Sequence, residues 1–155
     1  MYKKILVPLD GSSLAETAIP HVEAIASGCH VTDVVVIQVI ERRVSIPSKG
    51  RSMPTEKDLQ NIEEEMRKEA REYLNLVQKR LKDSGITAQT DVLVGKAAET
   101  IGEYAEKNNV DLIVMTTHGF SGITRWAMGS TADRLVHTAC VPVLLVRPPQ
   151  CVPHK

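Results

Sequence analysis

The sequence predicts an α/β fold: a single doubly wound domain with a five-stranded parallel sheet and about four helices. Three observations predict it. Short apolar runs such as Ile5-Leu6-Val7 and Val34-Val35-Val36-Ile37 alternate with stretches of helical periodicity from end to end. The runs are apolar at consecutive positions, as strands covered on both faces must be. Strand and helix in alternation imply right-handed crossovers and hence a parallel sheet. At 155 residues the chain suits one domain, residues 1–155, which buries a core without staples.

The first strand is Ile5-Leu6-Val7. Ser13-Leu14-Ala15-Glu16 follows with capping-box spacing, opening a helix that buries Ala15, Ala18, Ile19, Val22, Ile25 and Ala26 and ends near Gly28. Pro20 falls inside that pattern, where it is expected to remove one backbone bond and bend the helix. Val31 to Ile40 is the second strand. The polar stretch 41–54, with Arg42, Arg43, Lys49, Arg51, Pro47, Gly50 and Pro54, reads as a flexible loop. Thr55-Glu56-Lys57-Asp58 opens the longest helix, whose packed face is Leu59, Ile62, Met66, Ala70, Tyr73, Val77 and Leu81, and Gly85 stops it. Thr87 to Val94 is the third strand, and Ala97 to about Asn108 the next helix. Asp111 to Thr116 is the fourth strand, Ser130 to Thr138 the last helix and Val141 to Val146 the fifth strand. Residues 148–155 read as a tail.

Composition narrows the function. Nineteen basic residues balance nineteen acidic ones, so no global field favours nucleic acid or a membrane surface. Aromatic residues make up 3% of the chain, which argues against base stacking on single strands. No run approaches the roughly 20 apolar residues of a membrane helix. The stretch Met1 to Asp10 is broken by Pro8 and Asp10 and is not expected to act as a secretory leader. Cys29, Cys140 and Cys151 are an odd number without metal-ligand spacing, the pattern of a reducing, cytoplasmic compartment. His137 and Cys140 stand at metal-like spacing near a helix end, but two ligands do not make a zinc site.

In open parallel sheets, ligands bind beyond the carboxyl ends of the strands, where the winding reverses. That rule selects four loops: Pro8 to Ser13, Val39 to Glu41, Val94 to Ala98, and Thr116 to Ser130. In the first, Asp10 is read either as an acceptor for ribose hydroxyls or a group near a phosphate-bound metal, or as part of a helix-start turn. Val94-Gly95-Lys96-Ala97 lacks the upstream glycine and the hydroxyl residue of a Walker loop. Gly95 there suits a tight strand-to-helix turn, with close approach to a ligand as the second reading. The fourth loop is longer than a plain strand-to-helix connector and holds Gly119, Gly122 and Gly129. Gly129-Ser130-Thr131 precedes a helix whose first amides and positive dipole end make an anion site. Ser130 either donates to a phosphate or caps that helix with Asp133. Trp126 reads as cover for the loop before it reads as a base-stacking ring, and Arg125 as a solvated group before a phosphate contact. His118 has no evident nucleophile or carboxylate beside it.

At this point the residues carry a resemblance. Lys4-Ile5-Leu6-Val7-Pro8-Leu9-Asp10-Gly11-Ser12, Val39, Val94-Gly95 with Glu99, Asp111-Leu112-Ile113-Val114-Met115, the glycine loop, and Pro142-Val143-Leu144-Leu145-Val146 occur in this order and spacing. Together they resemble the universal stress protein (UspA-like) family over almost the whole chain. The resemblance implies a Rossmann-like fold of the adenine nucleotide alpha hydrolase-like group. ATP-binding members carry G-x-x-G, nine residues, then G-[ST]. Gly119, the nine residues Phe120 to Met128, and Gly129-Ser130 reproduce the second half, while Thr116 stands where the first glycine would fall. Reading Gly119 and Gly122 as the opening pair breaks the spacing.

The resemblance implies ATP, with Mg²⁺ or Mn²⁺ held by its phosphates. Asp10 and Val39 would contact ribose and adenine, and Gly119, Gly129, Ser130 and Thr131 would hold the phosphates. Pro8, Leu9, Gly95, Met115, Thr116, Thr117 and His118 complete the expected binding residues. The Thr116 side chain is expected either to crowd the phosphates or to join their hydrogen bonding. The family also implies a homodimer through the last strand, Val143 to Val146, whose apolar edge needs cover. The leading expectation is an ATP- or AMP-binding regulatory protein of the stress response, a nucleotide-dependent homodimeric switch that orders the Glu41–Pro54 loop. The alternatives are a dimeric interaction module that binds no nucleotide, or a slow ATPase. An adenylate-forming or nucleotidyl-transfer enzyme would need signatures that Thr117-His118-Gly119 and Asp10-Gly11-Ser12-Ser13 reproduce only in part.

Overall fold

The computed structural model describes residues 1–42, 53–118 and 128–149. Five strands form one parallel sheet: β1 (Lys4–Leu9), β2 (Asp33–Ile40), β3 (Ala88–Val94), β4 (Leu112–Thr116) and β5 (Val143–Val146). Their order is β3-β2-β1-β4-β5, every neighbouring pair parallel. The winding therefore reverses between β1 and β4. Four α-helices connect the strands among the described residues: α1 (Ile19–Cys29), α2 (Glu56–Asp83), α3 (Ala97–Lys107) and α4 (Ser130–Thr138). The doubly wound α/β architecture expected from the sequence is the one observed.

Strand alternation sorts the core into two layers. Ile5, Val7 and Leu9 of β1 and Val34, Val36 and Ile40 of β2 meet Ile19 and Val22 of α1 and Leu74, Val77 and Leu81 of α2. Leu6, Val35, Ile37, Ile113 and Met115 face the other way, onto Ile101 and Ala105 of α3 and Ala132 and Leu135 of α4. Each strand of the sheet's centre thus buries both faces, which is why these segments read as continuous apolar runs rather than alternating ones.

The first connection departs from expectation. Ala15–Ala18 is a short 3₁₀ turn and α1 begins only at Ile19. Pro20 consequently lies in the first turn of α1, where its missing N–H has no intrahelical partner to lose, so it starts the helix rather than bending it. The expected Ser13 capping box does not form. Ser12 takes the role instead, its Oγ accepting from the Ala15 amide at 3.1 Å. After α1, His30 adopts a left-handed conformation (φ 53°). The Val31 amide bonds back to Ala26, and the Thr32 and Asp33 amides both reach the Lys3 carbonyl. These bonds delay β2 until Asp33. In the same way Pro142 has no N–H to give a ladder, and β5 starts at Val143.

The start of α2 follows expectation. Thr55 Oγ1 accepts from the Asp58 amide at 3.2 Å, and the Asp58 carboxylate accepts from the Thr55 amide at 2.8 Å. Gly85, at φ +81°, ends the run beyond its C-terminus. The packed stripe is buried at Ala70, Val77 and Leu81, joined by Leu74. Ile62 and Met66, expected on that face, are 52% and 37% exposed.

Asp111, just before β4, ties the chain's beginning to the sheet. Its Oδ2 accepts from the amides of Lys3 and Lys4, each at 2.8 Å. These backbone donors hold its carboxyl below the usual value. A carboxyl depressed in the folded state stabilises the fold at pH values above its unfolded pKa of 3.8, and the contribution is lost as pH falls through the folded pKa. Asp111→Asn should therefore lower the urea midpoint at neutral pH, with the difference from wild type closing below pH 3.8. A difference that is independent of pH would show that the carboxylate is not the anchor.

Candidate functional site

A cavity of about 570 Å³ opens over the C-terminal edge of the sheet, spanning the ends of β2, β1 and β4 and the beginnings of α2 and α4. Its size is that of a small-molecule or cofactor site. The position is the one that topology selects, beside the β1–β4 reversal.

β1 contributes Pro8 and Leu9, and the turn after it Asp10. Asp10 Oδ1 accepts from the Ser12 amide at 2.9 Å and from Ser12 Oγ at 2.5 Å, and Gly11 between them sits at φ +85°. The helix-start reading of Asp10 is thus realised, and the same carboxylate stands on the cavity wall. Burial, reinforced by the negative charge of Glu16 and then Asp10, raises the Tyr73 phenol above its ordinary value, so that side chain stays protonated.

β4 contributes Met115 and Thr116, and the turn after it Thr117 and His118. Thr116 is buried, and its hydroxyl donates to the His118 carbonyl at 2.6 Å. Its proton is therefore committed within the turn. The Thr117 amide donates to Val146 of β5 at 2.9 Å, and the Thr117 carbonyl accepts from the Gly129 amide at 2.7 Å. Thr117 Oγ1 lies 2.8 Å from His118 Nδ1. One residue thereby fastens the end of β4 to both β5 and the start of α4.

Gly129 is the residue before α4, with Ser130 and Thr131 in its first turn. Ser130 is therefore not the helix cap. The first amides of an α-helix have no intrahelical partner, and the dipole adds positive potential there. Gly129 to Ala132 lie on the cavity wall, so this end of α4 meets the cavity. A Cβ at Gly129 would stand 3.0 Å from the Thr117 carbonyl oxygen; glycine lets the two segments meet this closely.

β2 contributes Gln38, Val39 and Ile40, and the two residues after it Glu41 and Arg42. Glu41 Oε1 accepts from the Ala97 amide at 3.0 Å, capping α3 from a distant strand end. The Arg42 guanidinium pairs with Glu63 of α2, which also accepts from Arg67 Nε at 3.1 Å. The two arginines, Arg42 first, hold the Glu63 carboxyl below its ordinary range. Leu59, Ile62 and Met66 of α2 complete the apolar wall.

Of the residues expected from sequence, Pro8, Leu9, Asp10, Val39, Met115, Thr116, Thr117, His118, Gly129, Ser130 and Thr131 line one cavity. Gly95 does not. It takes φ +154°, and a Cβ there would lie 2.4 Å from Thr100 Oγ1, so it serves the strand-to-helix turn. Gly119, Gly122, Arg125 and Trp126 lie outside the described residues, as does 43–52 within the expected flexible loop. The α2 wall and Gln38 were not expected. The helical stripe marked Leu59, Ile62 and Met66 as packed, and nothing local said that they face a cavity.

Fold and site together define a doubly wound α/β protein with a small-molecule pocket at its topological switch point and a helix amino terminus in the pocket wall. The model of the universal stress protein family matches residues 1–147, and the chain belongs to that family. It is 38% identical over 150 residues to universal stress protein MJ0531 of Methanocaldococcus jannaschii, covering 97% of this chain and 85% of that one. The solved structure of MJ0577 from the same organism superposes with a TM-score of 0.79 at 30% identity, covering 95% of this chain and 96% of that one. A universal stress protein from Archaeoglobus fulgidus, solved in complex with dAMP, shares the fold with a TM-score of 0.62 at 20% identity, covering 93% and 97%. Among the described residues no helix is long and apolar enough to cross a membrane.

Proposed function

We propose that this protein binds an adenine nucleotide in the switch-point cavity and acts as a cytoplasmic, homodimeric, nucleotide-dependent regulator of the stress response. The observation that carries the reading is that Asp10 and the amino end of α4 line one cavity across the β1–β4 reversal. A ribose and a phosphate chain need that pair: a carboxylate for the hydroxyls and unpaired amides with a positive dipole for the anion. Asp10 and Val39 hold ribose and base, and Gly129, Ser130 and Thr131 hold the phosphates. ATP would bring Mg²⁺ or Mn²⁺ on those phosphates, offsetting their charge. Thr116, whose hydroxyl points into its own turn, is compatible with that path. The dAMP complex of a protein with the same fold supports the ligand class.

The homodimer is proposed through β5. Among the described residues that strand pairs with β4 alone, and Leu144 is exposed on it, an edge that a second copy would cover. The test of the nucleotide is direct. Freshly purified protein, denatured and chromatographed, should release adenine nucleotide, and titration of stripped protein with ATP and Mg²⁺ should give heat. No released nucleotide together with no heat at millimolar ATP would refute the reading.

A further inference from the structure

The side of the cavity walled by α2 is a lobe that the proposed phosphate and ribose contacts do not use. The 28-residue α2 is about 42 Å long, whereas the eight-residue β2 spans about 26 Å. The helix therefore overhangs the sheet. Its apolar stripe is covered where it crosses the strands, at Ala70, Val77 and Leu81, and open where it passes the sheet edge, at Ile62 and Met66. These two and Leu59 line the cavity.

Opposite them stands Gln38. Val34, Val36 and Ile40 of β2 pack on the α2 side of the sheet, and strand alternation turns Gln38 the same way. Its Oε1 is buried with no hydrogen-bond partner among the described residues, and the residue lies on the cavity wall. An unpaired amide oxygen in an apolar setting is costly. A flat heteroaromatic base would use both features, apolar cover for its faces and hydrogen bonds for its edge. A carboxamide offers an acceptor and a donor side by side, the complement of adenine's exocyclic amine and adjacent ring nitrogen.

We propose that the Gln38 amide reads the amino-bearing edge of a 6-aminopurine held in the lobe between β2 and the overhanging first turns of α2, making Gln38 the base-specificity residue. This rests on the nucleotide reading above. It sets the base against α2 and keeps Val39, the next residue of the strand, within the same site.

The test is a cycle between the side chain and the ligand's amino group, measured by calorimetry. The ligands are ATP and purine riboside triphosphate, which lacks the 6-amino group; the proteins are wild type, Gln38→Leu and Gln38→Glu. Wild type should prefer ATP by about ten-fold, one net hydrogen bond's worth. Gln38→Leu should bind ATP about ten-fold more weakly and treat the two ligands alike. Gln38→Glu, which keeps an acceptor, should retain the preference. The leucine variant removes a buried unpaired atom, so it should melt at or above the wild-type temperature. Equal binding of the two ligands by wild type, a preference that survives Gln38→Leu, or a leucine variant that melts well below wild type would each overturn the proposal while leaving the nucleotide site standing. Binding of neither ligand by wild type would remove the nucleotide reading and this proposal with it.

Discussion

Gly129→Val is expected to weaken adenine-nucleotide binding by about a hundred-fold or more, while costing only about 1–3 kcal/mol of stability. The backbone at Gly129, φ −58° and ψ 144°, is one that any residue adopts, so the cost is one of space. The first added atom already stands 3.0 Å from the Thr117 carbonyl oxygen and 3.7 Å from His118 Cα. Valine adds two methyl groups to that contact and must push apart the turn after β4 and the start of α4. The Gly129 amide donates to that same carbonyl at 2.7 Å, so the displacement strikes the bond that sets their spacing. Hydrogen bonds to a charged group contribute about 1.5–3 kcal/mol each, and losing two of them from the first turn of α4 gives the hundred-fold figure. Gly129→Ala should fall between valine and wild type. Calorimetric titration with ATP and thermal melting of all three proteins check the prediction. Wild-type affinity in a folded valine variant would mean that the amino end of α4 is not the phosphate seat. An interaction module without a nucleotide would instead keep its partner binding unchanged by the substitution.

What sequence could and could not reveal follows from how far each signal reaches. Elements held by their own periodicity were legible: α4 runs Ser130–Thr138 as expected, and α2 opens on the Thr55–Asp58 box. The cavity's β1, β4 and α4 walls were legible too, because a parallel sheet places every strand's carboxyl end on one edge and the reversal selects among them. The first helix was misread where two local signals competed. Ser12 and Ser13 are both cap residues, and the choice fell to Ser12 because Asp10 accepts from both its amide and its hydroxyl. That choice moved the α-helix start to Ile19 and turned Pro20 from a kink into an opening residue. The α2 wall was missed for a geometric reason. Apolar spacing says that a stripe is covered but not by what, and only the difference in length between α2 and the strands shows that its first turns leave the sheet. The Glu41 cap on α3 joins residues 56 apart in the chain and leaves no local trace.

Leu135→Ala is expected to cost about 3–5 kcal/mol and to lower the melting temperature by roughly 6–20 °C. With nine residues, α4 is far too short to hold as an isolated helix, so tertiary contacts must hold it. Its buried side chains are Ala132 and Leu135. Leu135 is fully buried, and its Cδ1 lies 3.9 Å from the place a Cβ would take at Gly102 of α3. It fills the hollow that this glycine leaves, in one cluster with Leu6, Ile101, Ile113 and Met115. The ion pair between Arg134 and Glu99, 2.6 Å long but on exposed side chains, contributes little by comparison. Truncation to alanine therefore removes the larger of the two buried side chains that seat the helix and leaves a void in that layer. The adjacent substitution is the control: Val136, 44% exposed, should change stability by no more than about 0.5 kcal/mol when made alanine. Because the same helix presents its amino end to the cavity, Leu135→Ala should also speed amide exchange along α4 and weaken ATP binding even at temperatures where the protein remains folded. Equal melting temperatures for the two variants would show that α4 is not anchored through Leu135. Faster exchange in α4 with unchanged ATP affinity would separate the helix's seat from the ligand's.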